Sequence, residues 1–267
     1  LSPSRHQVLL MPTVSPSNAA CGSERMASDR GVPPLALTMG EPAGIGPDIT
    51  LAAWSQRHVR RLPPFVVVGC PAVLRERAAL LGLPVAIETV HDAADAVAVF
   101  ARVLPVLAIA ELAGVIPGQP QTRTAAATIG AIETAVTLVE MGAASAVVTN
   151  PIAKNVLYAA GFAHPGHTEF LAELARRRTG HTVLPVMMIA SDLLKVVPLT
   201  IHLPLTKVAA ALSPALLMNT IRITVAGLRL DFGITHPRVA VAGLNPHAGE
   251  AGTLGDEEVR IIAPAIA

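Results

Sequence analysis

From Leu35 onward, short aliphatic runs alternate with helix-length segments, and this alternation limits the chain to a small set of architectures. "LALTM" (Leu35–Met39) reads as a buried strand. It is followed by a turn over 40–46 and by Pro47, which suits the first position of a helix. "FVVVG" (Phe65–Gly69) is a second strand. Pro71 opens a helix running to Leu81, and Gly82 stops it. Weaker strands are expected at 85–90 and 103–110, then a long helix over 123–141 with Gly142 as its stop. The rhythm repeats with "ASAVVT" (144–149), where Asn150 is expected to cap a helix beginning at Pro151 and ending at Gly161. The loop "FAHPGH" leads to a helix over 168–178. "KVVPLTI" (195–201) reads as a strand ending at His202, and Ser213-Pro214 opens a helix closed by Gly233. "RVAVAGL" (238–244) reads as the last strand. Asp256, Glu257 and Glu258 suit a helix first turn, where carboxylates face the positive end of the dipole.

Strands alternating with helices imply an α/β fold in α/β/α layers, with helices on both faces of a mostly parallel sheet. Two subdomains are expected, 35–122 and 123–267, with the metal and substrate loops in the second. Residues 1–34 are expected to be a disordered tail, or to include non-native sequence translated upstream of a true start at Met26. The pattern is still helical at Ala267, so a missing C-terminal part is expected.

Composition excludes several function classes. Twenty Lys and Arg against 19 Asp and Glu leave a formal charge of +1, so no field draws nucleic acid or an acidic membrane. Aromatic residues at 3% offer no base-stacking surface. Cys21 and Cys70 stand in unrelated contexts and read as free thiols of a reducing compartment, which with the missing membrane span suggests the cytoplasm. The longest apolar stretch, 128–148, is interrupted by Glu133 and Glu140. The patch at 8–11 is interrupted by Pro12 and makes a weak signal peptide.

Ligands of open parallel sheets bind beyond the carboxyl ends of strands. Three of the nine histidines fall in such places: His202 after one strand, His247 after another, and His167 before a helix start. His202 and His247 on neighbouring strand ends would suit Zn²⁺, Co²⁺ or a similar ion, or each would only hydrogen-bond its own turn. His167 and Thr168 precede free helix N–H groups, which favour phosphate or carboxylate; otherwise Thr168 is simply a cap. "GEPAGIGPD" (40–48) permits close backbone approach to a ligand, or is only a tight turn. It is neither a G-x-G-x-x-G fingerprint nor a P-loop. Lys154, in "TNPIAKN", would reach an anion or remain solvated.

The stretches "TMGEPAGIGPD", "VVTNPIAK", "AGFAHPGHTEFLAEL", "VPLTIHLPL" and "VAGLNPHAGEAGTLGDEE" together resemble the 4-hydroxythreonine-4-phosphate dehydrogenase family of pyridoxal phosphate biosynthesis. The resemblance implies a relative of isocitrate and isopropylmalate dehydrogenases, which bind NAD or NADP without the fingerprint. It implies a His-Thr substrate pair at His167 and Thr168, and one divalent metal (Zn, Co or Mg) held by three histidines, two of them His202 and His247. It implies a homodimer with shared active sites, whose third histidine and further substrate residues lie in a segment this chain lacks. The expected reaction oxidises 4-phosphohydroxy-L-threonine to a 3-oxo acid, which decarboxylates to 3-amino-2-oxopropyl phosphate. His167 is the candidate proton acceptor, with Lys154 a further contact for the anionic substrate. Cofactor-binding residues are not assigned. The alternatives are a dehydrogenase of a phosphorylated four-carbon sugar acid (threonate or erythronate phosphate), a metal-dependent hydrolase, and an inactive ligand-binding fragment.

Overall fold

The computed structural model describes residues 6–10, for which only the backbone is considered, and 32–267. The expected tail, 1–34, therefore lies largely outside the described residues, as do Met26 and Cys21. Within it, His6–Leu10 forms a strand, β1. The chain divides into two compact units, Ala20–Gly166 and Leu1–Ala19 with His167–Ala267.

The first unit is built on a five-stranded sheet of β2 (Leu35–Thr38), β3 (Phe65–Gly69), β4 (Ile87–Val90), β5 (Leu104–Ala108) and β6 (Val147–Thr149). The strands run in the order β4-β5-β3-β2-β6, and every pairing is parallel. The central strand β3 is buried throughout, as expected for a parallel strand covered on both faces. Its alternation divides the core. Phe65 and Val67 join Met39, Leu51 and Leu74 on the side of α1 (Gly46–Ser55) and α2 (Pro71–Leu80). Val66 packs with Val90 and Ala93 from α3 (Ala93–Val99), and Val68 with Ala131 and Ala135 from α4 (Ala125–Glu140). The helix expected over 123–141 is thus α4 preceded by a short 3-10 turn at Thr122–Thr124. Because α4 covers β2 and β3, it belongs inside the first unit, and the units part after Gly166, not near residue 123.

Asn150 does not cap a helix. Its side chain is buried, with Nδ2 donating to the Thr38 carbonyl (3.0 Å) and to Thr50 Oγ1 (2.8 Å), so β2, β6 and α1 are tied together at their shared end. Helix α5 begins only at Lys154 and runs to Ala159.

The second unit carries α6 (His167–Thr179), β7 (Val186–Ala190), β8 (Lys195–Val196), α7 (Val208–Ala211) and α8 (Pro214–Leu230). Its sheet is antiparallel, in the order β1-β7-β8. The mostly parallel sheet expected from the sequence is therefore realised in the first unit only. Ser213 caps α8 by accepting from the Leu216 N–H at 3.2 Å, as its position predicts. One expected strand is cut short and another is not realised. The run 195–201 stops at Val196, just before Pro198, which lacks the N–H a ladder needs. The run 238–244 belongs to no strand, and a strand forms only where a neighbour offers an edge.

Candidate functional site: two histidines with carboxylate partners

At the carboxyl end of β2, the segment 40–48 folds into a close-packed corner. Gly46 is required there, because a Cβ would stand 2.3 Å from the Met39 carbonyl oxygen. Arg77, 5% exposed, reaches across from α2 and gathers the corner together. It donates to the Gly44 carbonyl at 3.0 Å and the Pro42 carbonyl at 3.3 Å, and it pairs with Asp48. Glu41 is also buried; its Oε1 accepts from the Ala43 N–H and from Thr124 Oγ1, both at 3.1 Å. Lys154, in the same unit, is the exposed first residue of α5.

The three histidines singled out by the sequence all belong to the second unit. His167 is not in a loop but is the first residue of α6, with Thr168 second; both are half-buried in the first turn. Glu169 follows them, near the positive end of the helix dipole. Its Oε1 lies 4.0 Å from His202 Nε2, while its Oε2 is buried and has no hydrogen-bond partner. His202 sits in a loop between β8 and the 3-10 turn Leu205–Lys207, with left-handed backbone at φ +58°. Its side chain is 63% exposed.

His247 is held by its own loop. Its N–H donates to Asn245 Oδ1 at 2.9 Å, a local Asx turn. The backbone then runs left-handed through four residues, Ala248, Gly249, Glu250 and Ala251, with φ of +48°, +71°, +43° and +56°. The turn brings Glu250 Oε1 to 2.8 Å from His247 Nδ1. Three of the four are not glycine, and each such residue costs about 1–2 kcal/mol. Glu258 closes the loop: its Oε1 accepts from the Leu244 N–H at 2.8 Å, and a Cβ on Gly249 would stand 2.8 Å from its Oε2. The motif "GLNPHAGEAGTLGDEE" is therefore a clamped loop that presents one imidazole with a carboxylate behind it.

No hydrogen bond or ion pair joins His202 to His247; each has a carboxylate of its own. Among the described residues no group of three or more His, Cys, Asp or Glu side chains is placed to hold an ion. The donor set nonetheless fits a borderline divalent ion in part: two exposed imidazoles, each with one ring nitrogen directed at a carboxylate and the other left over.

A separate cavity of about 820 Å³ in the second unit is lined mainly by apolar residues, among them Met188, Leu217, Ile221, Leu228, Val241 and Ile262. None of the three histidines lines it. The unpaired run 238–244 forms part of its wall.

Comparison with known proteins places the chain in a family. Residues 61–267 match the family described as pyridoxal phosphate biosynthetic protein PdxA. The chain belongs to the PdxA family. Among PdxA relatives, the 4-hydroxythreonine-4-phosphate dehydrogenase of Methylorubrum extorquens is 54% identical over 244 residues, covering 91% of this chain and 69% of the relative. That of Bradyrhizobium diazoefficiens is 52% identical over 241 residues, covering 87% and 69%. Among solved structures, the 4-hydroxythreonine-4-phosphate dehydrogenase of Klebsiella pneumoniae superposes with a TM-score of 0.76 at 36% identity, covering 88% of this chain and 70% of that one. A terephthalate 1,2-cis-dihydrodiol dehydrogenase of Burkholderia xenovorans superposes with a TM-score of 0.57 at 26% identity, covering 86% and 68%. The PdxA family resemblance read from the sequence is thereby borne out. Glu169 and Glu250 were not among the residues singled out there, and Glu258 was read only as part of a helix first turn. Glu250 was legible, three residues past His247, whereas the approach of Glu169 to His202 depends on tertiary structure.

Proposed function

We propose that the chain acts as an NAD(P)-dependent, divalent-metal-dependent dehydrogenase in pyridoxal phosphate biosynthesis. It would oxidise 4-phosphohydroxy-L-threonine to a 3-oxo acid that decarboxylates to 3-amino-2-oxopropyl phosphate. The observation that carries this reading is 54% identity over 244 residues with a dehydrogenase so named. In support, the matched region contains the His167-Thr168 pair, His202 and His247, each on a defined element or loop.

His202 and His247 are assigned as two ligands of the ion. When bound, the ion would polarise the substrate hydroxyl, and the nicotinamide would take up hydride. Glu250 would restrict the His247 ring, as carboxylates behind ligating histidines do, and Glu169 faces the His202 ring at 4.0 Å. His167 and Thr168 open a 13-residue helix, whose first N–H groups favour an anionic end of the substrate. His167 is the candidate proton acceptor, and Lys154 a candidate contact for a second anionic group. A third ligand from the other subunit of a homodimer completes the reading, and the cytoplasm is its place.

The test is NAD⁺ or NADP⁺ reduction followed by absorbance with 4-phosphohydroxy-L-threonine, with and without chelator. We expect turnover that chelator abolishes and that His247→Ala lowers at least about 100-fold, the scale of losing one transition-state stabiliser. Turnover without a nicotinamide cofactor would instead indicate a hydrolase. The superposition on a dihydrodiol dehydrogenase favours one second reading, in which the same site oxidises another secondary alcohol, such as threonate or erythronate phosphate. Mass spectrometry of the products separates the two substrates.

A further inference from the structure

We propose that Glu250 and Glu169 are positioning residues that fix the two imidazoles in opposite tautomers. His247 would carry its proton on Nδ1 and offer Nε2 to the ion, while His202 would carry its proton on Nε2 and offer Nδ1. The inference rests on the reading of His202 and His247 as ligands given above, and it concerns this chain's own side chains in the absence of metal.

Three observations converge on it. The first is direction. Glu250 Oε1 lies 2.8 Å from Nδ1 of His247, whereas Glu169 Oε1 faces Nε2 of His202 at 4.0 Å. A carboxylate accepts and does not donate, so the nitrogen it faces is the one that holds the hydrogen. The second is the backbone. Ala248, Glu250 and Ala251 accept left-handed conformations that L residues avoid, and the result of that turn is the return of Glu250 to His247. An ordinary surface pair between residues three apart would be made in an unstrained helical turn. The third is the state of Glu169. Its Oε2 is buried without a partner, so the carboxylate is held against the protein rather than turned to solvent, with Oε1 directed at His202. At 4.0 Å this is an ion-pair approach and not yet a hydrogen bond.

The two histidines are not equivalent in what they reveal. Free imidazole in a histidine side chain favours the Nε2–H form. His202 would keep that form, whereas His247 would be driven to the less common one by Glu250 alone. His247 is therefore the sensitive reporter, and the ring nitrogen that faces the metal differs between the two ligands.

The experiment is nitrogen-15 NMR of the imidazoles in the whole, metal-free chain, at about pH 8, where histidines of ordinary pKa are neutral. Titration with Zn²⁺ alone accompanies it. The expected result is Nδ1–H for His247 and Nε2–H for His202. Glu250→Ala should return His247 to mostly Nε2–H, and Glu250→Gln, whose amide oxygen still accepts, should retain Nδ1–H. Each of Glu250→Ala and Glu169→Ala should weaken Zn²⁺ binding by about 10–100-fold. Nε2–H on His247 in the unsubstituted chain would overturn the proposal, and that measurement needs no variant to fold. Unchanged tautomer and unchanged Zn²⁺ affinity in Glu250→Ala would also overturn it. Because these readings use neither substrate nor nicotinamide, they separate from the dehydrogenase reading. Predicted tautomers without NAD(P)⁺ reduction would count against that reading alone, and chelator-sensitive turnover with the wrong tautomers would count against this one alone.

Discussion

His202 combines an exposed imidazole with a left-handed backbone at φ +58°, where an L side chain is under strain. Asparagine visits this region through local hydrogen bonds of its short side chain but lacks the imidazole, so the two demands on the position separate on substitution. His202→Asn is expected to leave the thermal midpoint unchanged or to raise it by about 1–2 °C, the effect of a few tenths of a kcal/mol in a chain of this size. It should also abolish metal-dependent turnover. A midpoint several degrees lower would show that His202 supports the loop rather than the chemistry. At this scale residue type was informative from the sequence: a histidine just past an apolar run, or ahead of a helix start, was legible. Its partner was not. Glu169 looks like any acid in a helix first turn, and only folding directs it at His202.

Helix α6 shows how an element carries its own pH dependence. Glu173 accepts from Arg176 Nε at 2.7 Å and Nη2 at 2.8 Å, and from Arg177 Nε at 2.9 Å. These hydrogen bonds lower its pKa from 4.5 to about 2. A carboxyl with a depressed folded-state pKa stabilises the fold above its ordinary pKa and loses that contribution as pH falls through the lower value. Glu173→Gln should therefore be less stable than the parent chain above pH 4.5, with the gap closing as pH falls toward about 2. Thermal melts across that window check it, and a gap that widens on acidification would reverse the assignment. The strands show the reverse limit on what the sequence reveals. "FVVVG" and "RVAVAGL" are similar as strings, yet the first lies between β2 and β5 and the second pairs with nothing. Aliphatic runs announce β propensity; an available edge decides whether a strand forms, and edges are a property of the assembled sheet.

For the whole molecule the burial is uneven. Of the largest fully buried side chains among the described residues, which include Met39, Leu51, Leu74, Leu104, Ile132 and Leu157, only Met188 belongs to the second unit. Native-state hydrogen exchange should follow this distribution. Amides of β2, β3 and β5 should be the slowest, and those of 238–244, which make no ladder, should exchange fastest among the segments the sequence marks as strands. Protection over 238–244 equal to that of β3 would contradict the unpaired run. The α/β class and parallel sheet were legible because aliphatic runs, prolines and glycines marked the elements of the first unit locally. The unit boundary was not, since the position of α4 over β2 and β3 is a tertiary fact.

The Arg77 guanidinium, enclosed among the Pro42 and Gly44 carbonyls and Asp48, has a mechanical consequence. Shifting that bend would strip a buried cation of its acceptors at once, so the corner cannot swing as a gate while the surrounding sheet stays intact. Any molecule arriving there meets a surface already shaped and needs no ordering step.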